Sequence, residues 1–270
     1  MAKICVVDIV AEEISQQFTY FAKEVSAKVM NPGTEISVKA LSPGMVSLAS
    51  FGAYFEFLNR GQIIEKVIEV EREGYDAVVV HCFADPGVRI ARSVVNIPVI
   101  GPGESSLLFA CMMGYKFGVV TVNAPNAVPG METMIREYAL EDRAIHNPVR
   151  PITMPWREWL KKGPKEAIEM VLPNIIEKSR ECVADGADVI VIGCTMLGPL
   201  CTLSGIAKIP DSDVPILDCL AVAIKTAEYV VDLNAKLGLP PVSRASLYGQ
   251  PREKDFNRFR EVFGLKRYHD

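Results

Sequence analysis

Two of the seven cysteines close the same kind of segment. Glu73-Gly74-Tyr75-Asp76 leads into the apolar run Ala77-Val78-Val79-Val80 and ends at His81-Cys82. Asp185-Gly186-Ala187-Asp188 leads into Val189-Ile190-Val191-Ile192 and ends at Gly193-Cys194. A thiolate serves as base or nucleophile once its pKa falls from about 8.5. The start of a helix favours that fall, because unpaired N–H groups and the helix dipole stabilise negative charge. Each cysteine precedes a predicted helix. Two thiols approaching one carbon from opposite sides suit stereoinversion, in which one removes a proton and the other returns one to the far face. The carbanion between them needs N–H donors, and the backbone amides after Cys82 and Cys194 are the nearest supply. Cys82 and Cys194 are therefore the expected catalytic pair. Cys5, Cys111, Cys182, Cys201 and Cys219 fall inside predicted strands or helices and read as structural.

The elements that must position the thiols alternate. Ile4–Val7 is a strand, 12–29 an amphipathic helix, 36–38 a strand, 42–53 a loop and 58–73 a helix. Continuous apolar runs such as 76–82 suit a parallel sheet covered on both faces. A helix over 86–96, a strand at 97–101 and a helix from Gly103 complete the first set. The pattern restarts with a strand at 117–122, a helix at 127–138, a strand near 149–153 and a helix at 164–185. The apolar strand 188–194, the strand 214–218 and a helix at 219–237 close it. Ile97-Pro98-Val99-Ile100 and Val214-Pro215-Ile216-Leu217 stand in equivalent places, so the chain carries one internal duplication. Alternating βα units give an α/β fold with two open parallel sheets. Ligands bind beyond the carboxyl ends of such strands, where both cysteines sit. The expected lobes are 1–113 with 219–237, and 114–218. Residues 238–270, basic and aromatic, form an extension whose Phe256, Phe259 and Phe263 have the spacing of a packed helix.

The 270 residues are 49% hydrophobic and 23% charged, which excludes a disordered chain, and the net charge of −4 gives no support to nucleic-acid binding. No CxxC occurs and only three histidines exist, so no metal site is expected. The start turns acidic after a short apolar run, unlike a signal peptide, and no apolar stretch reaches membrane-spanning length. A cytoplasmic protein with free thiols is expected, acting on a small molecule and assembling with copies of itself. Asp8, at a strand end, either contacts substrate or caps the next turn. Asp85 is expected to cap the helix that Pro86 begins. Glu104 could meet ligand or complement a helix dipole. Strand alternation turns His81 away from the cysteine's face. Trp159 and Trp156 are expected to pack a lobe, and Gly101-Pro102-Gly103 lacks the rest of a phosphate loop.

His81-Cys82-Phe83-Ala84-Asp85-Pro86-Gly87 resembles the ACFGDPG motif of hydantoin and allantoin racemases, in the aspartate/glutamate/hydantoin racemase superfamily. Val99–Ser105 resembles that family's VxGIxEA segment, Phe117–Thr121 its FSVVTT strand, and Val191–Met196 its second cysteine motif, LGCAGM. The similarity runs in order over roughly 1–237. It implies two similar flavodoxin-like lobes related by a pseudo-twofold axis, with the active site in the cleft between them. It also implies no cofactor, and racemisation by Cys82 and Cys194 of a substrate with an acidic Cα–H, such as a 5-substituted hydantoin or related amino-acid derivative. Thr121 and Thr195 match positions that help bind the substrate's polar groups, and Phe83 matches the aromatic position. Asp8, Ala84 and Met196 complete the substrate-binding candidates. The chain departs from the family at Asp8-Ile9-Val10-Ala11, where an NPNT-like loop is usual, and at Ala84, which replaces a glycine. Its second motif reads GCT, as in amino-acid racemases, without their following His. A maleate-isomerase-like or decarboxylase-like enzyme of the same superfamily, and a non-catalytic ligand-binding or regulatory protein on this scaffold, stay open as alternatives.

Overall fold

A computed structural model describes residues 2–45 and 52–268. The first half runs β1 (Lys3–Ala11), α1 (Gln16–Val29), β2 (Glu35–Leu41), α2 (Ala53–Arg72), β3 (Ala77–His81), α3 (Val88–Ala91), β4 (Val99–Ile100) and α4 (Pro102–Met113). The second runs β5 (Phe117–Asn123), α5 (Ala127–Glu137), β6 (Ala144–Pro155), α6 (Trp156–Trp159), α7 (Pro164–Ala184), β7 (Val189–Ile192), α8 (Gly198–Ser204), β8 (Ile216–Asp218) and α9 (Cys219–Leu237). Helix α10 (Glu253–Val262) follows. Two four-stranded sheets result, ordered β2-β1-β3-β4 and β6-β5-β7-β8, with every named pairing parallel. The two orders correspond strand for strand.

The duplicated Gly-x-Asp segments do the same work in each half. Gly74 and Gly186 take φ of 78° and 97°, a left-handed turn that only glycine adopts freely. The aspartate two residues on then anchors the neighbouring strand. Asp76 accepts the Lys3 N–H at 2.7 Å, and Asp188 accepts those of Tyr115 and Lys116 at 2.8 and 2.9 Å. The apolar runs that follow are fully buried, because helices cover both sheet faces.

The last helix of each half covers the other half's sheet. Leu107 and Ala110 of α4 pack with Phe117, Val119, Val189 and Val191. Leu220, Ala223, Ile224 and Ala227 of α9 pack with Ile4, Val6, Ala77 and Val79. Helix α9 thus lies on the first sheet. α4, expected with the first lobe, instead closes the second sheet's core and packs along α9.

Several boundaries differ from expectation. α2 starts at Ala53, five residues early, and its first turns carry exposed Tyr54, Phe55 and Phe57, so no apolar periodicity marks them. The helix expected over 86–96 shortens to α3, since Gly87 takes φ 78° just before it. Part of the expected loop at 42–53 lies outside the described residues. In the extension Phe256 packs against the main core, but the other two aromatics of the row do not. Phe259 and Phe263 are exposed, whereas Arg260 is buried and donates to both oxygens of Glu65 on α2, at 2.8 and 2.6 Å. Arg244 reaches the carbonyls of Arg92 and Val95, so the extension lies on its own chain.

Candidate active site

A cleft of about 660 Å³ opens beyond the carboxyl ends of β3 and β7. Cys82 and Cys194, each one or two residues past its strand, both line it. So do Phe83, Ala84, Thr195 and Met196. Asp8 and Thr121 are fully buried and are not among the lining residues. Thr121 donates its hydroxyl to the Gly193 carbonyl at 2.9 Å, and Asp8 accepts the Nδ1–H of His81 at 2.5 Å. In this structure both side chains hold the strands that carry the cysteines and are not open to a ligand. Thr195 borders the cleft, but its hydroxyl donates to the His81 carbonyl at 3.2 Å.

The thiols differ from the sequence expectation in one respect. The approach of a helix start was expected to lower their pKa values, yet burial pushes Cys82 up to about 12 and raises Cys194. Each residue touches the cleft, but protein surrounds its sulfur on most sides. Backbone amides oppose that rise. The N–H of Met196 donates to Cys194 Sγ, while that of Leu197 donates to the Cys194 carbonyl at 3.0 Å. The Met196 contact measures 3.4 Å. Close chain packing makes this possible. A Cβ on Gly193 would lie 2.5 Å from Val119 and 3.3 Å from the Phe83 ring, and one on Gly103 2.2 Å from the Phe83 carbonyl.

Asp85 caps a different helix from the one expected. Its carboxylate accepts the N–H groups of Gly103 and Glu104, at 2.9 and 2.6 Å, in the first turn of α4. The Tyr138 hydroxyl of the second half donates to it at 3.1 Å. A φ of 49° turns the residue away from Pro86's helix and toward α4. Burial raises its pKa to about 7 despite those donors. Glu104 is held bidentately by Arg92 and is not a cleft residue.

The remaining wall is apolar and sulfur-rich. Phe18, Met131, Met134 and Trp159 contribute to it, and Trp159 also packs in the main core, as expected. At the mouth the Asn126 side chain donates to Glu56 at 2.9 Å, which joins α2 of one half to the start of α5 in the other. Arg60 and Arg89 stand near it. Glu56, Arg60 and Arg89 escaped the sequence reading because each lies on a helix whose pattern signals only an amphipathic face. Among the described residues no group of three or more His, Cys, Asp or Glu side chains is gathered as a metal site. No helix among them is long and apolar enough to cross a membrane.

Two matching α/β halves close on a cleft with one thiol from each, and the relatives of the chain place it in the isomerase class, among racemases. Residues 21–227 match the family model described as Asp/Glu/Hydantoin racemase, and the chain belongs to that family. It is 32% identical over 226 residues to a hydantoin racemase of Pseudomonas sp. (strain NS671), covering 82% of each chain. It is 31% identical over 192 residues to a hydantoin racemase of Rhizobium meliloti, covering 71% of this chain and 73% of that one. The fold matches the allantoin racemase of Klebsiella pneumoniae with a TM-score of 0.76, at 23% identity over 93% of this chain and 94% of that one. It also matches glutamate racemase RacE1 of Bacillus anthracis with a TM-score of 0.58, at 18% identity over 97% and 93%.

Proposed function

We propose that this racemase acts without a cofactor on 5-substituted hydantoins or closely related amino-acid derivatives, with Cys82 and Cys194 as opposed acid and base. One observation carries the reading: the cleft takes one thiol from each half, with the Met196 N–H donated to Cys194 Sγ. The curated relatives described as hydantoin racemases support the substrate class, and the apolar wall suits the ring substituent. In the reaction one thiolate takes the C5 proton, and the electron pair passes to the adjacent carbonyl oxygen as an enolate. The opposite thiol then gives its proton to the other face of C5. Each turnover leaves the two cysteines with exchanged protonation states. Burial makes a thiolate scarce, but it also makes that thiolate a stronger base toward carbon. The free thiols suit a reducing compartment, the cytoplasm.

The test is solvent-deuterium incorporation with each pure enantiomer, read beside optical rotation. Racemisation with deuterium at C5, lost in both Cys82→Ala and Cys194→Ala, is the expected result. Full activity in either single variant would sink the two-base scheme. A substrate panel of hydantoins, amino acids and maleate separates this reading from other chemistry of the superfamily.

A further inference from the structure

Asp8 and His81 both lie where the chain departs from the motifs it resembles: Asp8 replaces the NPNT-like loop, and His81 the alanine of ACFGDPG. The fold brings the two departures into contact. They face each other in register on β1 and β3, with neither side chain exposed. In the second half the equivalent positions are Thr121 and Gly193, one step beyond the Val120–Ile192 pair. There a neutral hydroxyl–carbonyl bond holds the residue before Cys194. In the first half an ionisable pair holds the residue before Cys82.

Three further observations assign this pair a role beyond stability. The His81 carbonyl accepts from Thr195, so the residue before one thiol is bonded to the residue after the other. The imidazole packs edge-on to Phe18, with ring centroids 5.6 Å apart, and both residues border the cleft. Finally, Asp8 Oδ2 and His81 Nε2 are buried without a hydrogen-bond partner among the described residues. A buried pair with unpaired polar atoms stabilises a fold poorly, and an apolar pair of similar size would do as well or better.

We propose that His81, anchored by Asp8, is a positioning residue for Cys82. Its Nδ1–H bond to the Asp8 carboxylate fixes the end of β3, and with it the Cys82 sulfur relative to Cys194. The role rests on the two-thiol reading above, and it gives the two thiol stations different supports. An Asn side chain places its amide N–H where Nδ1 stood, whereas Gln places its own where Nε2 stood.

The experiment uses the full chain with His81→Ala, His81→Asn, His81→Gln, Asp8→Ala and Asp8→Asn, each checked for fold by circular dichroism. Iodoacetamide labelling of Cys82 and Cys194 is followed peptide by peptide by mass spectrometry, and racemisation is resolved into kcat and KM. His81→Ala and Asp8→Ala should lower kcat at least tenfold with KM within threefold, and shift the Cys82-to-Cys194 labelling ratio at least fivefold. His81→Asn and Asp8→Asn should recover most of both effects, and His81→Gln should not. An unchanged labelling ratio in His81→Ala, or recovery by Gln and not by Asn, overturns the proposal. If His81→Ala does not fold, the Asn and Gln variants decide. If no hydantoin is racemised, the substrate reading fails, while the labelling ratios still decide the positioning role.

Discussion

Replacing Asp85 by Asn should remove a pH-dependent cost to the fold. The Asp85 carboxyl is raised from 3.8 to about 7, chiefly by burial, with the α4 amides and Tyr138 opposing. A rise of a little over three pH units corresponds to about 4 kcal/mol at about 1.4 kcal/mol per unit. Asp85 keeps some contact with solvent, so screening reduces this to about 2–4 kcal/mol. The sign follows from proton binding. Between pH 4 and 7 the folded chain holds a proton on Asp85 that the unfolded chain has lost, so this contribution to stability is complete below about pH 4 and falls away as pH rises through 7. The Asn variant has no such slope. It gives up one amide acceptor at the α4 start, a loss of about 1 kcal/mol that does not vary with pH. Urea unfolding of both proteins at pH 4.5, 6, 7 and 8 measures the difference. The variant should gain about 2–4 kcal/mol on the wild type between the ends of that range, and the other buried acids cancel in the comparison. A difference flat to within about 0.5 kcal/mol would refute the view that Asp85 is raised by its burial.

The thiol of Cys82, pushed up to about 12, should alkylate about tenfold faster for each pH unit between 8 and 10, and a plateau below pH 9 contradicts that value. Gly193→Ala should destabilise the chain by about 1–3 kcal/mol in thermal unfolding, because the new Cβ meets Val119 at 2.5 Å. It should also slow racemisation by displacing Cys194. Arg260→Ala, which strands Glu65 on α2, should cost about 2–3 kcal/mol, read as a lower Tm, with the Cys82 labelling rate retained.

Some of the architecture is written in local sequence, because its causes are local. The left-handed turns at Gly74 and Gly186, the aspartates two residues later and the apolar runs after them need only backbone sterics and burial. Their repetition was enough to predict two parallel sheets and to single out Cys82 and Cys194 from seven cysteines. Helix ends without periodicity were not legible, as at Ala53, where the first turn is exposed aromatic surface. The packing of α4 on the second sheet was not legible either, since an apolar helix face does not say which sheet it meets. The same limit governs the site. Asp8 carries a polar group at a strand end, which sequence alone assigns equally to a ligand or to a neighbour, and only the family resemblance assigns Thr121 to a ligand. Pairing in register decided it, by spending Asp8 on His81 and Thr121 on Gly193. Asp85 met α4 and not its own next helix because a positive φ redirected it. The thiols' pKa direction was likewise a property of the assembled chain. A helix start acts locally, whereas desolvation depends on everything packed around the sulfur, and in this fold the surroundings outweigh the local amides.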